Sequence, residues 1–145
     1  SIMAKLKTLV PIRPATLAEA DPRRLRRAGL SRAKALYVRE LARFAADGGL
    51  RGLSRLSDEA IIERLTSVKG VGIWTAEMFL MFNLLRPDVF PLGDLGLQKG
   101  LRVAYHGGRK ISLRTMKSRG ETLRPWRSVA TWYLWRSLDP VPVEC

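Results

Sequence analysis

Residues 65–101, LTSVKGVGIWTAEMFLMFNLLRPDVFPLGDLGLQKGL, constrain this chain more than any other stretch. A tight Lys69-Gly70-Val71-Gly72 turn separates two segments whose apolar residues keep helical spacing. Ile61, Ile62 and Leu65 form the inner face of the first, and the second, 73–85, is the most hydrophobic in the chain. Glycine tolerates positive φ and lets another backbone come close. A turn that feeds straight into a helix also presents that helix's first N–H groups, which favour an anion. Gly70, Val71, Gly72 and Ile73 would aim such donors at a phosphate, with Lys69 and Thr75 beside them. Pro87 and Pro91 keep the following segment out of helix, and Asp94 then stands at the mouth of a third helix. Taken alone, a Gly-x-Gly pair is an ordinary turn, and Asp94 reads most simply as a helix cap.

Charge supplies the context. The 145 residues carry 26 Lys and Arg against 13 Asp and Glu, a net charge of +13, which points to a polyanionic partner and first to nucleic acid. Evenly solvated charge is the plainer explanation of clusters such as Arg23, Arg24, Arg26 and Arg27, or Arg109, Lys110, Arg114, Lys117 and Arg119. The single cysteine, Cys145, excludes an internal disulfide and a multi-cysteine metal or iron–sulfur site. With no signal peptide in view, an intracellular protein is expected. The longest apolar run, Met78-Phe79-Leu80-Met81-Phe82, is too short for a membrane span.

The remaining segments predict an all-α fold of roughly eight short helices in a single domain over 1–145. No stretch sustains the two-residue alternation of a strand. Residues 1–9 look like the tail of a helix with no cap before it, and 10–14 a proline-rich loop. Thr16-Leu17-Ala18-Glu19 has capping-box spacing, and Asp21-Pro22 reads as N-cap and first helical residue, with Gly29 as the stop. Ser31 caps a helix whose inner face would be Ala35, Leu36, Val38, Leu41, Ala42, Phe44 and Ala45, ended by Gly48-Gly49. Ser57-Asp58-Glu59 starts another. The helix after Asp94 should run to about Ala104, with Tyr105 to Gly108 as a turn and His106 facing solvent. Ser112 begins a basic helix weakened by Gly120. Pro125 opens the last helix, with an apolar stripe of Trp126, Val129, Ala130, Tyr133 and Leu134 and a non-helical tail, 139–142. Trp126, Trp132 and Trp135 are expected to be packing residues.

These residues resemble a known family. Leu65-x-x-Val68-Lys69-Gly70-Val71-Gly72-Ile73-Trp74-Thr75-Ala76, followed by Asp88-Val89-Phe90-Pro91-x-x-Asp94, is similar to the helix-hairpin-helix motif, Gly/Pro-rich segment and acid of the base-excision DNA glycosylases. Within that superfamily the chain most resembles the branch of bacterial 3-methyladenine DNA glycosylase II. The closing Arg124-Pro125-Trp126-Arg127-Ser128-Val129-Ala130 and Trp132-Tyr133-Leu134-Trp135-Arg136 match that branch, as does Asp21-Pro22 through Leu30-Ser31-Arg32-Ala33-Lys34. The resemblance implies a helix-hairpin-helix over about 58–85 and damaged double-stranded DNA as partner. It makes Asp94 the catalytic carboxylate and Trp74 a wall of the base pocket. Lys69 to Ile73, with Thr75, would be the phosphate-binding turn, carrying a monovalent or divalent cation on backbone carbonyls rather than on side chains.

The resemblance also limits the chemistry. Superfamily members that cut the DNA backbone carry a lysine where this chain has Trp74, and tryptophan cannot form a Schiff base. A monofunctional enzyme without an iron–sulfur cluster is therefore expected. An N-terminal lobe that precedes this region in the family would supply part of the pocket. Surface exposed without that lobe should be apolar and prone to association. A residue that fills the gap left by a flipped base would lie near 9–12, unassigned. The competing expectation is a helix-hairpin-helix module that binds duplex phosphates without releasing a base.

Overall fold

The computed structural model describes residues 1–139; Cys145 and the 140–142 part of the tail lie outside them. Among the described residues the regular structure is entirely helical, as expected, with nine α-helices and one 3-10 turn. None of these helices is long and apolar enough to cross a membrane. The chain forms two compact units, Ser1–Ala76 and Glu77–Cys145.

The first unit holds α1 (Ile2–Leu9), α2 (Pro14–Glu19), α3 (Pro22–Arg27), α4 (Arg32–Ala46), the 3-10 turn Leu53–Arg55 and α5 (Asp58–Thr66), and α6 (Ile73–Phe82) begins within it. Its starts are written locally. Asp21, Ser31 and Ser57 each accept a hydrogen bond from a first-turn N–H. Two starts differ from expectation. Ser1 itself caps α1 by accepting from the Ala4 N–H, and Pro14 opens α2 with Thr16 inside it. Proline at the first helical position loses no hydrogen bond, so it outcompetes the capping box two residues later.

Leu6, Val10, Ala20, Leu25, Ala28 and Ala35 form one core cluster of this unit, with Leu9, Leu17, Leu30 and Val38 against it. Helix α4 buries part of the predicted face: Ala35 and Ala42 are inside and Val38 packs on the cluster, while Leu36 and Leu41 are exposed. Small residues face α2 and α3 because those helices lie close against α4, and the larger side chains are turned outward.

The second unit holds most of α6, then α7 (Leu95–His106), α8 (Leu113–Glu121) and α9 (Arg127–Arg136). Helix α6 stops at Phe82, not at Leu85. Leu85 takes φ 53°, and the Phe79 carbonyl accepts from both the Asn83 and Leu84 N–H groups, so the last turn unwinds before Pro87. Helix α7 continues through His106 to a left-handed Gly107, two residues beyond the expected end. Helix α9 starts at Arg127, two residues after Pro125.

Most of the predicted stripe on α9 is turned outward, and of its members Leu134 alone is buried. Trp126, Val129 and Tyr133 are exposed, and Ser128, Thr131 and Leu134 are buried. Trp132 is also exposed rather than packed. Ser128 is buried because it is fully used. Its hydroxyl donates to the Arg86 carbonyl at 2.6 Å and accepts the Val89 N–H at 2.9 Å. Beside it Arg127 donates to both carboxylate oxygens of Asp88, at 2.7 and 3.0 Å, and to the Asp88 carbonyl at 3.0 Å. The start of α9 thereby clamps the irregular segment that leads to Asp94.

The hydrogen-bonded Arg127 guanidinium holds the Asp88 carboxyl below its usual range, against the opposing effect of burial. The clamp's contribution is thus present at neutral pH and fades as pH falls through that lowered value. Arg127→Ala should cost about 2–3 kcal/mol in urea denaturation at neutral pH. A loss below about 0.5 kcal/mol would show that the clamp is not structural.

Leu97, Leu101, Met116 and Leu134 form a core cluster of this unit, with Phe90, Leu92 and Ile111 against it. Gly120 does more than weaken α8. A Cβ there would lie 2.5 Å from the Phe90 ring, so the glycine is the space Phe90 occupies.

Candidate active site and nucleic-acid interface

In the first unit, the turn between α5 and α6 is fixed by two local features. The Val71 N–H donates to the Val68 carbonyl at 3.0 Å, and Gly70 takes φ +91°, the positive value a type II turn requires at its third position. A Cβ on Gly70 would overlap the ring of Tyr37 on α4. Gly72 differs: its φ is not positive, and a Cβ there meets nothing within 4 Å. The fold therefore demands glycine at 70 and not at 72. Tyr37, absent from the sequence-based list, is the side chain that seats the turn.

Lys69, Gly70, Gly72, Ile73, Trp74 and Thr75 are exposed and Val71 half-buried. The Ala76 N–H donates to the Gly72 carbonyl at 3.1 Å. The N–H groups of Ile73, Trp74 and Thr75 thus precede the helical ladder, at the positive end of the α6 dipole. Ile73 is 62% exposed and Trp74 51%, a large apolar surface beside a turn built of donors. Of the 9–12 stretch, Val10 is buried and Leu9 packs on the same cluster, leaving Ile12 as its exposed apolar side chain.

In the second unit, Asp94 caps α7. Its Oδ1 accepts the Leu97 N–H at 2.6 Å and the indole N–H of Trp135 at 2.7 Å. Phe82 lies against Trp135, ring centroids 6.1 Å apart and planes 19° from parallel. The segment before Asp94 is tied down as well: its N–H donates to the Pro91 carbonyl, and Gln98 donates to the Leu92 carbonyl. Trp135 is partly buried, so its expected packing role is met, but its hydrogen bond to Asp94 was not anticipated.

Glu77 is a second acid of this region that the sequence reading passed over. The available signal was its place as the lone charged residue of α6, IWTAEMFLMF. Burial, and secondarily the charge of Asp94, push its pKa up to about 7. A carboxyl that holds its proton longer when folded binds more protons in the native state between pH 4.5 and about 7. Its ionisation therefore lowers stability progressively as pH rises through that window. Glu77→Gln should gain about 1–2 kcal/mol over wild type at pH 8, after allowance for solvent screening, and little at pH 4. Equal urea midpoints for the two proteins at pH 8 would contradict this.

His106 is not a solvent-facing turn residue. It ends α7, and its Nε2 is enclosed without a hydrogen-bond partner among the described residues. On the second unit, Phe82, Leu85, Val129, Trp132 and Tyr133 line an apolar cavity of about 410 Å³.

The family model for the HhH-GPD superfamily of base excision DNA repair proteins matches residues 1–125. DNA-3-methyladenine glycosylase 1 of Schizosaccharomyces pombe is 34% identical over 127 residues, covering 86% of this chain and 56% of that protein. A DNA-3-methyladenine glycosidase structure from Bacillus halodurans superposes with TM-score 0.83 at 35% identity, over 94% of this chain and 65% of that one. The S. pombe 3-methyladenine glycosylase Mag1, solved with abasic DNA, gives TM-score 0.85 at 31% identity, over 94% and 69%. The chain spans about half the length of the curated relatives it matches.

Proposed function

Since this chain belongs to the HhH-GPD superfamily of base excision DNA repair proteins, we propose that it is a monofunctional DNA glycosylase that releases alkylated purines such as 3-methyladenine from duplex DNA. The observation that carries this reading is Asp94, a carboxylate fixed at a helix start by two donors on one oxygen. Two donors hold such a group in place, which suits electrostatic work on a developing positive charge.

The chemistry follows from charge. The bond between C1′ and the base nitrogen breaks, and its electron pair leaves with the base. Positive charge builds on the sugar, as in other glycoside cleavages. The Asp94 carboxylate stabilises that charge and orients the water that adds to C1′, accepting its proton. The products are the free base and an abasic site. An alkylated purine already carries positive charge, so it departs without a strong general acid. The exposed indole of Trp74 supplies an electron-rich face that favours a cationic base over a neutral one. The target base must leave the stack to be reached.

The hairpin holds the DNA. Donors from Gly70 to Ile73, with Lys69 and Thr75, receive a backbone phosphate. The carbonyl end of α5 faces the same turn with the negative pole of its dipole, which suits a cation. No chemical step depends on that ion. A protein in this role works inside the cell, on the chromosome.

The test is release of free 3-methyladenine or 7-methylguanine from methylated duplex, measured by chromatography, with strand breaks scored before and after alkali. Base release with breaks only after alkali is expected. Salt-sensitive duplex binding with no base released at enzyme excess would instead identify a non-catalytic binding module.

A further inference from the structure

We infer that Trp135 is a positioning residue for Asp94: its indole N–H and the Leu97 amide clamp Oδ1, which fixes how the carboxylate faces the reacting sugar. The inference rests on the reading of Asp94 as the catalytic acid. Capping α7 needs one bond, from the Leu97 N–H at 2.6 Å. The second, from the Trp135 Nε1 at 2.7 Å, is not required by any helix end. Indole is a donor only and cannot reverse the bond, and a donor to a carboxylate favours its charged form.

The surroundings are built around this bond. A Cβ on Gly96 would lie 2.9 Å from Trp135 Cδ1 and 3.0 Å from both the indole nitrogen and Asp94 Oδ1. One turn on, a Cβ on Gly100 would lie 2.9 Å from the Leu134 carbonyl oxygen. Two glycines inside a helix each carry a propensity cost. Here they open the face of α7 along which α9 runs, and Gly96 leaves the gap that the indole enters. Phe82 holds the plane of the indole from α6. The arrangement fixes the carboxylate's rotation as well as its position, and rotation decides which lone pairs meet a developing cation.

Trp135→Phe keeps an aromatic ring and removes the donor. In base-release kinetics kcat should fall about tenfold or more with KM within about twofold, since the loss is of orientation. The acid limb of the kcat profile should move to higher pH, which a packing defect alone would not do. A second readout needs no turnover: in nitrogen-15 spectra the Trp135 indole N–H should titrate with a carboxylate at acid pH, and Asp94→Asn should abolish that titration. Wild-type kcat and pH profile in Trp135→Phe, or an indole resonance indifferent to Asp94→Asn, would overturn the inference. An Asp94→Asn protein that loses base release beside an unimpaired Trp135→Phe leaves the proposed function standing and removes only the clamp. Absence of base release in wild type removes the function, and the indole titration still decides the clamp.

Discussion

Asp94→Asn lowers the rate of base release at least about a hundredfold, the scale on which one preorganised electrostatic group acts on a transition state. The variant separates the two jobs of this residue. Asparagine is as good an N-cap as aspartate, and its amide oxygen can still accept from the Leu97 amide and the Trp135 indole. The cap survives and the charge does not. Stability should change by less than about 1 kcal/mol, and affinity for undamaged duplex should hold or rise slightly, since a negative charge has been removed. Single-turnover release from methylated DNA, with a urea titration on the same protein, is the measurement. An Asp94→Asn protein that releases base at the wild-type rate would reduce Asp94 to a cap and end the proposed mechanism.

The second large effect lies in the hairpin, where two glycines two residues apart should behave as opposites. Gly70→Ala forces a side chain into φ +91° and onto the Tyr37 ring, and should cost about 2–4 kcal/mol of stability. Gly72→Ala meets nothing in the protein, and should cost under about 1 kcal/mol. It should nevertheless weaken duplex binding about tenfold, because the space a Cβ would take is the space a DNA backbone approaches through. Lys69→Ala should lower the salt dependence of binding by about one counterion. Fluorescence anisotropy over a salt series, paired with urea denaturation, reads all three. Full-strength binding by Gly72→Ala would move the phosphate contact away from this turn, whatever happens at Gly70.

The helix starts at Asp21, Ser31, Ser57, Asp94 and Ser112 could all be read from the sequence, because a cap is settled within three residues of itself. So could the glycine turn, which a Gly-x-Gly between two periodic segments announces. Periodicity failed where burial was decided by something other than apolarity. On α9 it promoted Trp126, Val129 and Tyr133 over Ser128 and Thr131. Those hydroxyls are buried because each finds a carbonyl, Arg86 for the first and Arg127 for the second. On α4 it named Ala35 and Ala42 together with Leu36 and Leu41, and close helix packing kept only the alanines inside.

By itself the sequence determined the helical class, the hairpin and the one acid placed to follow it, since each rests on residues near one another in the chain. It also carried the family resemblance, because that resides in the same local motifs. Only the tertiary structure decided which glycine of the turn is obligatory, for that depends on a tyrosine more than thirty residues away, on another helix. In the same way it decided that Trp135, forty-one residues beyond Asp94, is bonded to it, and that Glu77 is held near neutrality by burial. A hydrogen bond or a dielectric environment belongs to atoms brought together by folding, and residue spacing along a helix does not record which distant element will arrive.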